Sequence, residues 1–294
     1  MRILITGGTG FIGQALCTRL MAQGHELTVL SRHPETVALR LSPQVTAWAS
    51  LDQWSADIPF AAVINLAGLP IIDAPWTTAR KQALRDSRVG LTEQLVTRIR
   101  AAQQPPGLLL SGSAIGYYGD SGDTAVREDS PVGQDFGATL CADWEQAALA
   151  AENAGTRVCL LRTGLVLHPS GGMLGRMLWP FRLGLGGPIG QGSQWMSWIH
   201  RDDQVGIIEH LLNSPTARGI YNLTAPVPVT NTEFTRTLAR SLHRPAVFRV
   251  PALLLKWILG ERAGLLLGGQ KVLPERIMEQ GYTFIHPKLE QALG

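Results

Sequence analysis

Cysteine is scarce in this chain of 294 residues: there are three, Cys17, Cys141 and Cys159, and no Cys-x-x-Cys pair. An odd, dispersed set excludes a disulfide framework and a thiolate metal site. It reads instead as small buried apolar residues in a reducing compartment. Charge is modest at 17% of residues, and 26 basic against 23 acidic residues leave a net +3 spread along the chain. No basic cluster interleaved with aromatics marks a nucleic-acid surface. Seven histidines are scattered without a His-x-x-x-His spacing, so no metal ligand set is expected. Ser111-Gly112-Ser113-Ala114-Ile115-Gly116 is not the Gly-x-Ser-x-Gly of a nucleophile elbow. Long hydrophobic runs are missing too. The stretches 253–260 and 265–268 fall far short of the roughly 20 residues of a membrane span, and Glu261 and Arg262 separate them. The N-terminus already reads as strand and turn rather than as a signal peptide, so the cytoplasm is the expected location, with no membrane partner.

What is plentiful is apolar residue, 45%, and glycine, 32 residues. That suffices for a large core in one α/β domain, or in one domain plus a smaller lobe. The first thirteen residues read as strand, turn and helix start. The run Ile3-Leu4-Ile5 is too short for a helix and is bounded by glycine, which fits a central parallel strand. Gly7, Gly10 and Gly13 follow. Such glycines serve a tight turn, close backbone approach to a pyrophosphate and close packing of helix on strand. The helix expected over 14–23 would aim its free N–H groups and positive dipole end at that pyrophosphate. The dinucleotide contacts expected from this turn are Gly7, Thr9, Gly10, Phe11, Ile12 and Gly13.

A second strand over 26–30 ends in Ser31-Arg32-His33, with no acid at its tip. An acid there would hold the ribose 2′-OH of NAD, whereas Ser31 and Arg32 suit the 2′-phosphate of NADP. Further strands are expected over 45–49, 60–68, 107–111 and 157–162, with helices over 77–102 and 136–154 between them. Leu84, Leu91, Leu95 and Ile99 recur at near-helical spacing along the first of these helices, and Arg88 sits among them. Leu66, Ala67 and Gly68 end the fourth strand where a doubly wound sheet meets its cofactor. Hydroxyls cluster after the fifth strand, in Ser113, Tyr117 and Tyr118, where this architecture places its chemistry. The loop 120–135 reads as either a lid or a surface excursion. The pattern changes after residue 167, which suggests a dinucleotide-binding domain over 1–167 and a smaller α/β substrate lobe over 168–294. In that lobe Trp179, Arg182, Trp195, Trp198 and His200 could stack a ring or hold a phosphate, or simply form its core.

Taken together, Thr6 to Gly13, Asn65-Leu66-Ala67-Gly68, Ser111-Gly112-Ser113 and Ile199-His200-Arg201-Asp202 resemble the extended, epimerase-like branch of the short-chain dehydrogenase/reductase superfamily. A closer resemblance is to its YfcH-type group of sugar-nucleotide epimerase-like proteins. It rests on Asp86-Ser87-Arg88, Gly116-Tyr117-Tyr118-Gly119, Asp143-Trp144-Glu145, the run from Pro180 to Gly187, Trp198-Ile199-His200 and the run from Gly269 to Pro274. The resemblance spans essentially the whole chain. It implies a Rossmann sheet with a small C-terminal substrate lobe, and NADP held in part by Ser31, Arg32, Arg88 and Leu165. It also implies hydride and proton transfer on a nucleotide sugar or related small polar substrate, by a monomer or homodimer.

The superfamily's chemical centre is a serine with Tyr-xxx-Lys, in which the lysine lowers the tyrosine pKa. Ser113 matches the serine. The Tyr-xxx-Lys pair is missing: the helix that should carry it opens at Phe136, and no lysine stands between Lys81 and Lys256. Three readings stay open. Tyr117 or Tyr118 supplies the phenol, or His200 with Asp202 supplies the acid and base, or the chain binds NADP without turnover as a sensor. For the second, the structural alternative is that Asp202 caps the following helix.

Overall fold

The computed structural model describes residues 1–293. Its centre is a sheet of seven strands: β1 (Arg2–Thr6), β2 (Glu26–Leu30), β3 (Thr46–Trp48), β4 (Ala62–Asn65), β5 (Leu108–Ala114), β7 (Arg157–Thr163) and β11 (Gly219–Leu223). The order across the sheet is β3-β2-β1-β4-β5-β7-β11, and every pair is parallel. Strand order therefore reverses between β1 and β4, which opens a crevice at their C-terminal ends. The doubly wound Rossmann architecture expected from the sequence is what the chain adopts.

Successive strand residues face opposite sides, and both sides are covered, which explains the unbroken apolar run in β1. Ile3 and Ile5 pack with Leu16 and Leu20 of α1 (Phe11–Ala22) and with Ile207 and Leu211 of α7 (Arg201–Asn213). Leu4 faces the other way, into a core with Val63, Leu109 and Ile99. A short helix, α2 (Val37–Arg40), precedes β3. The segment expected as one helix over 77–102 is α3 (Thr78–Arg85), a π-helical turn Asp86–Gly90, and α4 (Leu91–Ala101). The π turn inserts extra backbone where Arg88 leaves the apolar stripe, a feature often found at functional sites. Helix α5 (Phe136–Leu149) covers β5 and β7.

Beyond β7 the chain builds a smaller core from Leu167, Phe181, Trp198, Phe234 and Leu289. The elements around it are β8 (Leu165–His168), α6 (Gly172–Arg182), β9 (Trp195–Met196), β10 (Trp198–His200), β12 (Val229–Thr230), α8 (Asn231–Ser241) and α12 (Leu289–Leu293). Thr230 caps α8 in a capping box with Glu233. The sequence boundary at 167/168 does not coincide with a boundary in the sheet. Residues 201–223 return to the large layer, where β11 pairs with β7 and α7 packs on α1. The remaining elements are α9 (Ala252–Leu259), α10 (Gly264–Leu267), β13 (Lys271–Val272) and α11 (Glu275–Glu279). β13 pairs with β6 (Ala125–Val126), and Asp120 Oδ1 accepts from the amides of Gly122 and Gly269, so the 120–135 loop is tied to the C-terminal segment. All three cysteines are buried and unpaired, and burial pushes their thiols up to about 12. No helix among the described residues is long and apolar enough to cross a membrane.

Candidate functional site

The turn after β1 is built around absent side chains. Gly7 has φ of +72°, and a Cβ there would meet the Leu66 carbonyl carbon at 2.7 Å and the Ala67 nitrogen at 2.8 Å. A Cβ on Gly13 would fall on the Gly7 carbonyl oxygen. Gly10 closes the turn by donating its N–H to that oxygen at 2.9 Å. It also precedes α1 in extended conformation, and no side chain caps the helix. The first N–H groups of α1 are thus left for a ligand, beside the strand-order reversal. Phe11 packs against Gly171 and Gly172 with the Arg201 guanidinium 5.5 Å from its ring centroid.

At the tip of β2, Ser31 Oγ accepts from the His33 amide at 3.1 Å, which leaves the Ser31 hydroxyl hydrogen free to donate. Arg32 is exposed and enters no ion pair among the described residues. On the other side of β1, the β4 exit is held by a buried network that sequence reasoning missed. Thr6 Oγ1 donates to Asn65 Oδ1 at 2.6 Å, Asn65 Nδ2 donates to Thr92 Oγ1 at 2.8 Å, and Trp144 Nε1 donates to the same oxygen at 3.0 Å. The Ala67 amide donates to Thr6 Oγ1 at 3.2 Å, so the network fixes the turn that faces Gly7. Arg88 reaches this turn: its Nη2 donates to the Leu69 carbonyl at 2.9 Å, and a Cβ on Gly68 would lie 3.1 Å from its guanidinium. Leu165 opens β8 half-buried, its amide donating to the Ser197 carbonyl at 2.9 Å.

The hydroxyl-bearing residues after β5 meet a buried ion pair. Ser113 Oγ donates to Glu145 Oε1 at 2.7 Å. Arg162 clamps both oxygens of that carboxylate, Nε to Oε1 and Nη2 to Oε2, each at 2.8 Å. Arg162 is 1% and Glu145 5% exposed. Burial alone would lower the Arg162 pKa, but the hydrogen bonds and charge of Glu145 reverse that and raise it. The same guanidinium donates to the Tyr118 hydroxyl at 2.9 Å, and that hydroxyl donates to Asn222 Oδ1 at 2.6 Å. Burial pushes the Tyr118 phenol up to about 12. Tyr117 stands differently: half-buried, its ring lies 3.4 Å from the Arg162 guanidinium carbon, and its hydroxyl has no hydrogen-bond partner among the described residues. One signal for this cluster was present in the sequence, since a lone arginine at the end of an apolar central strand demands a buried partner.

The positions of the missing pair are apolar packing sites. Phe136 meets Trp76 edge-on at 5.0 Å and lies under Lys81, while Leu140 is buried with Leu84 and Trp144. The second-lobe residues divide. Trp198 is core, Trp195 carries Lys271 Nζ 4.5 Å over its ring, and Trp179 is exposed. His200 itself caps α7, its Nδ1 accepting from the Asp202 amide at 3.2 Å, which corrects the expected assignment of that cap to Asp202. The histidines are also less scattered in space than in sequence. His168, His200 and His286 form a row with ring centroids 5.6 and 4.0 Å apart, and burial together with His286 lowers the His200 pKa to about 4. Asp202 joins His200 and His286 with ligand atoms within 4.8 Å. Three conditions oppose a cation there: the capping role of Nδ1, the positive end of α7 and the neighbouring Arg201.

Comparison with known proteins agrees with this geometry. Residues 3–224 match the model of the NAD dependent epimerase/dehydratase family, and residues 250–294 match a domain of unknown function, DUF1731. The chain is 41% identical over 299 residues to the bovine epimerase family protein SDR39U1, covering 100% of this chain and 98% of the relative. It is 40% identical over 305 residues to the chloroplastic SDR39U1 homolog of Arabidopsis thaliana, covering 100% of this chain and 86% of the relative. Among solved structures, human SDR39U1 with NADPH superimposes with a TM-score of 0.91 at 39% identity, covering 100% of this chain and 98% of that one.

Proposed function

We propose that this chain, which belongs to the NAD dependent epimerase/dehydratase family, binds NADP and catalyses hydride and proton transfer on a small polar substrate of the nucleotide-sugar class. The observation that carries this reading is the cradle at the β1/β4 reversal, where Gly7 and Gly13 leave no room for a Cβ and α1 presents uncapped N–H groups. The human relative of the same fold was solved with NADPH. Here Gly7, Thr9, Gly10, Phe11, Ile12 and Gly13 would hold the pyrophosphate, and Ser31 with Arg32 the 2′-phosphate. Leu66, Ala67, Gly68, Arg88 and Leu165 would line the rest of the cofactor's path. A bound nicotinamide supplies the hydride acceptor and donor.

Ser113 orients the substrate. Its proton is committed to Glu145, so its oxygen lone pairs are left to accept from a substrate hydroxyl. Of the two tyrosines, Tyr118 is committed through both its hydrogen bonds and its raised pKa. Tyr117 is therefore the phenol that moves a proton, at its hydroxyl oxygen. The Glu145–Arg162 pair holds Ser113 from below and Tyr117 from its ring face. Turnover of a nucleotide-sugar panel by the NADP-loaded protein, read by chromatography of the products, tests the assignment. Tyr117→Phe and Ser113→Ala are each expected to lower turnover about 100-fold or more, while Tyr118→Phe acts mainly on thermal stability. Unchanged turnover in both Tyr117→Phe and Ser113→Ala would contradict it.

A further inference from the structure

The most unusual surface lies far along the chain from the glycine cradle. Among the described residues sixteen large apolar side chains are exposed, and ten of them fall in two segments, 179–185 and 247–265. The two segments run together: Ile189 bridges Val250, the Gly190 amide donates to the Val250 carbonyl at 2.8 Å, and the Val250 amide donates to the Pro188 carbonyl at 2.9 Å. Helix α9 has no buried residue. Leu253 and Trp257, one helical turn apart, are 81% and 85% exposed, and Leu254 and Ile258 widen the same stripe. Trp179, Leu183 and Leu185 add to it from the neighbouring segment, and Phe248 from the residues just before α9. An apolar area of this kind contributes nothing to the fold and marks a contact.

Charge identifies the contact. No acidic residue occurs between Glu152 and Asp202, or between Glu233 and Glu261. Arg182, Arg249 and Lys256 are exposed in these same stretches, outside any ion pair among the described residues. Glu261, just past α9, is occupied by Lys81 at 2.8 Å. A second copy docked here would oppose cation to cation with no carboxylate to pair them. An apolar stripe carrying tryptophan, rimmed by exposed cations and with the flanking Glu261 already paired to Lys81, is complementary to anionic lipid headgroups over acyl chains.

We propose that α9 and the adjoining 179–185 strip form a docking surface for an anionic lipid bilayer. The eight residues of α9 lie in the headgroup plane: Leu253, Leu254, Trp257 and Ile258 enter the acyl boundary, and Arg249 and Lys256 meet lipid phosphates. Attachment of this kind needs one apolar face and no crossing helix. It places the protein at a membrane surface whatever the cleft turns over.

Flotation of the full chain with vesicles tests this. The protein is expected to float with phosphatidylcholine vesicles containing phosphatidylglycerol, to stay behind with phosphatidylcholine alone, and to be released by high salt. Leu253→Glu with Trp257→Glu should reduce partitioning at least about tenfold, with melting temperature and NADPH affinity unchanged. Arg249→Gln and Lys256→Gln should each reduce it about fivefold. Failure to float with either vesicle, equal flotation with both, or a monomer–dimer equilibrium abolished by the Leu253/Trp257 variant would each overturn the proposal. The last would assign the face to a second copy of the chain.

Discussion

At the ends of β5 and β7 the chain takes two full charges, Glu145 and Arg162, almost entirely out of water, whereas on α9 it leaves Leu253 and Trp257 almost entirely in it. Both choices oppose ordinary burial, and they differ in compensation. The buried pair is satisfied on every side: two 2.8 Å bonds join it, Ser113 adds a third to the carboxylate, and Tyr118 and the Glu128 carbonyl accept from the guanidinium. The α9 stripe has no intramolecular compensation. The first region is therefore a fixed scaffold that sets where Ser113 and Tyr117 stand, and the second is a surface whose stabilising contact lies outside the chain.

The sharpest way to break this comparison is to remove one buried charge. Arg162→Met leaves Glu145 buried without a countercharge and is expected to cost about 3–5 kcal/mol in denaturant unfolding, with most of that recovered when Glu145→Met is added. A cost no larger than that of a surface substitution would erase the distinction between the regions. A smaller effect belongs to His200, which the fold keeps neutral with a pKa near 4. The unfolded chain binds that proton near its ordinary pKa of about 6.5. Between those values the unfolded state holds more protons. Stability is therefore full above about pH 6.5 and falls as pH drops toward 4, by up to about 3 kcal/mol. Thermal melts across this window check the direction, and His200→Asn, which keeps a capping oxygen but not the titration, should flatten the slope. The smallest effect is expected on α9, where Leu253→Glu with Trp257→Glu should change unfolding stability by no more than about 0.5 kcal/mol.

The parts of the fold that could be read in the sequence are those decided locally. Ile3 to Ile5 needed only the two-residue period of a strand, and Gly7 to Gly13 only the steric demands of one turn. The pairs that organise the candidate site are separated along the chain. Glu145 and Arg162 lie on a helix and a strand 17 residues apart, and Tyr118 finds Asn222 on β11, 104 residues on. No periodicity reports such contacts. The π turn at Asp86–Gly90 hid for the same reason: Arg88 departs from helical register to reach the Leu69 carbonyl, a partner from another loop. His168, His200 and His286 are scattered in sequence and adjacent in space because β8 and β10 pair and the irregular segment carrying His286 folds back beside them.

Cofactor selection is the central claim, and it rests on Ser31 and on the exposed, unpaired guanidinium of Arg32 at the tip of β2. Parallel titrations with NADPH and NADH, followed by nicotinamide fluorescence, measure it most directly. NADPH is expected to bind at least about tenfold tighter, a difference of about 1.4 kcal/mol, and Arg32→Ala should remove most of that preference while leaving NADH affinity in place. Equal affinity of the unaltered protein for the two nucleotides would contradict the assignment.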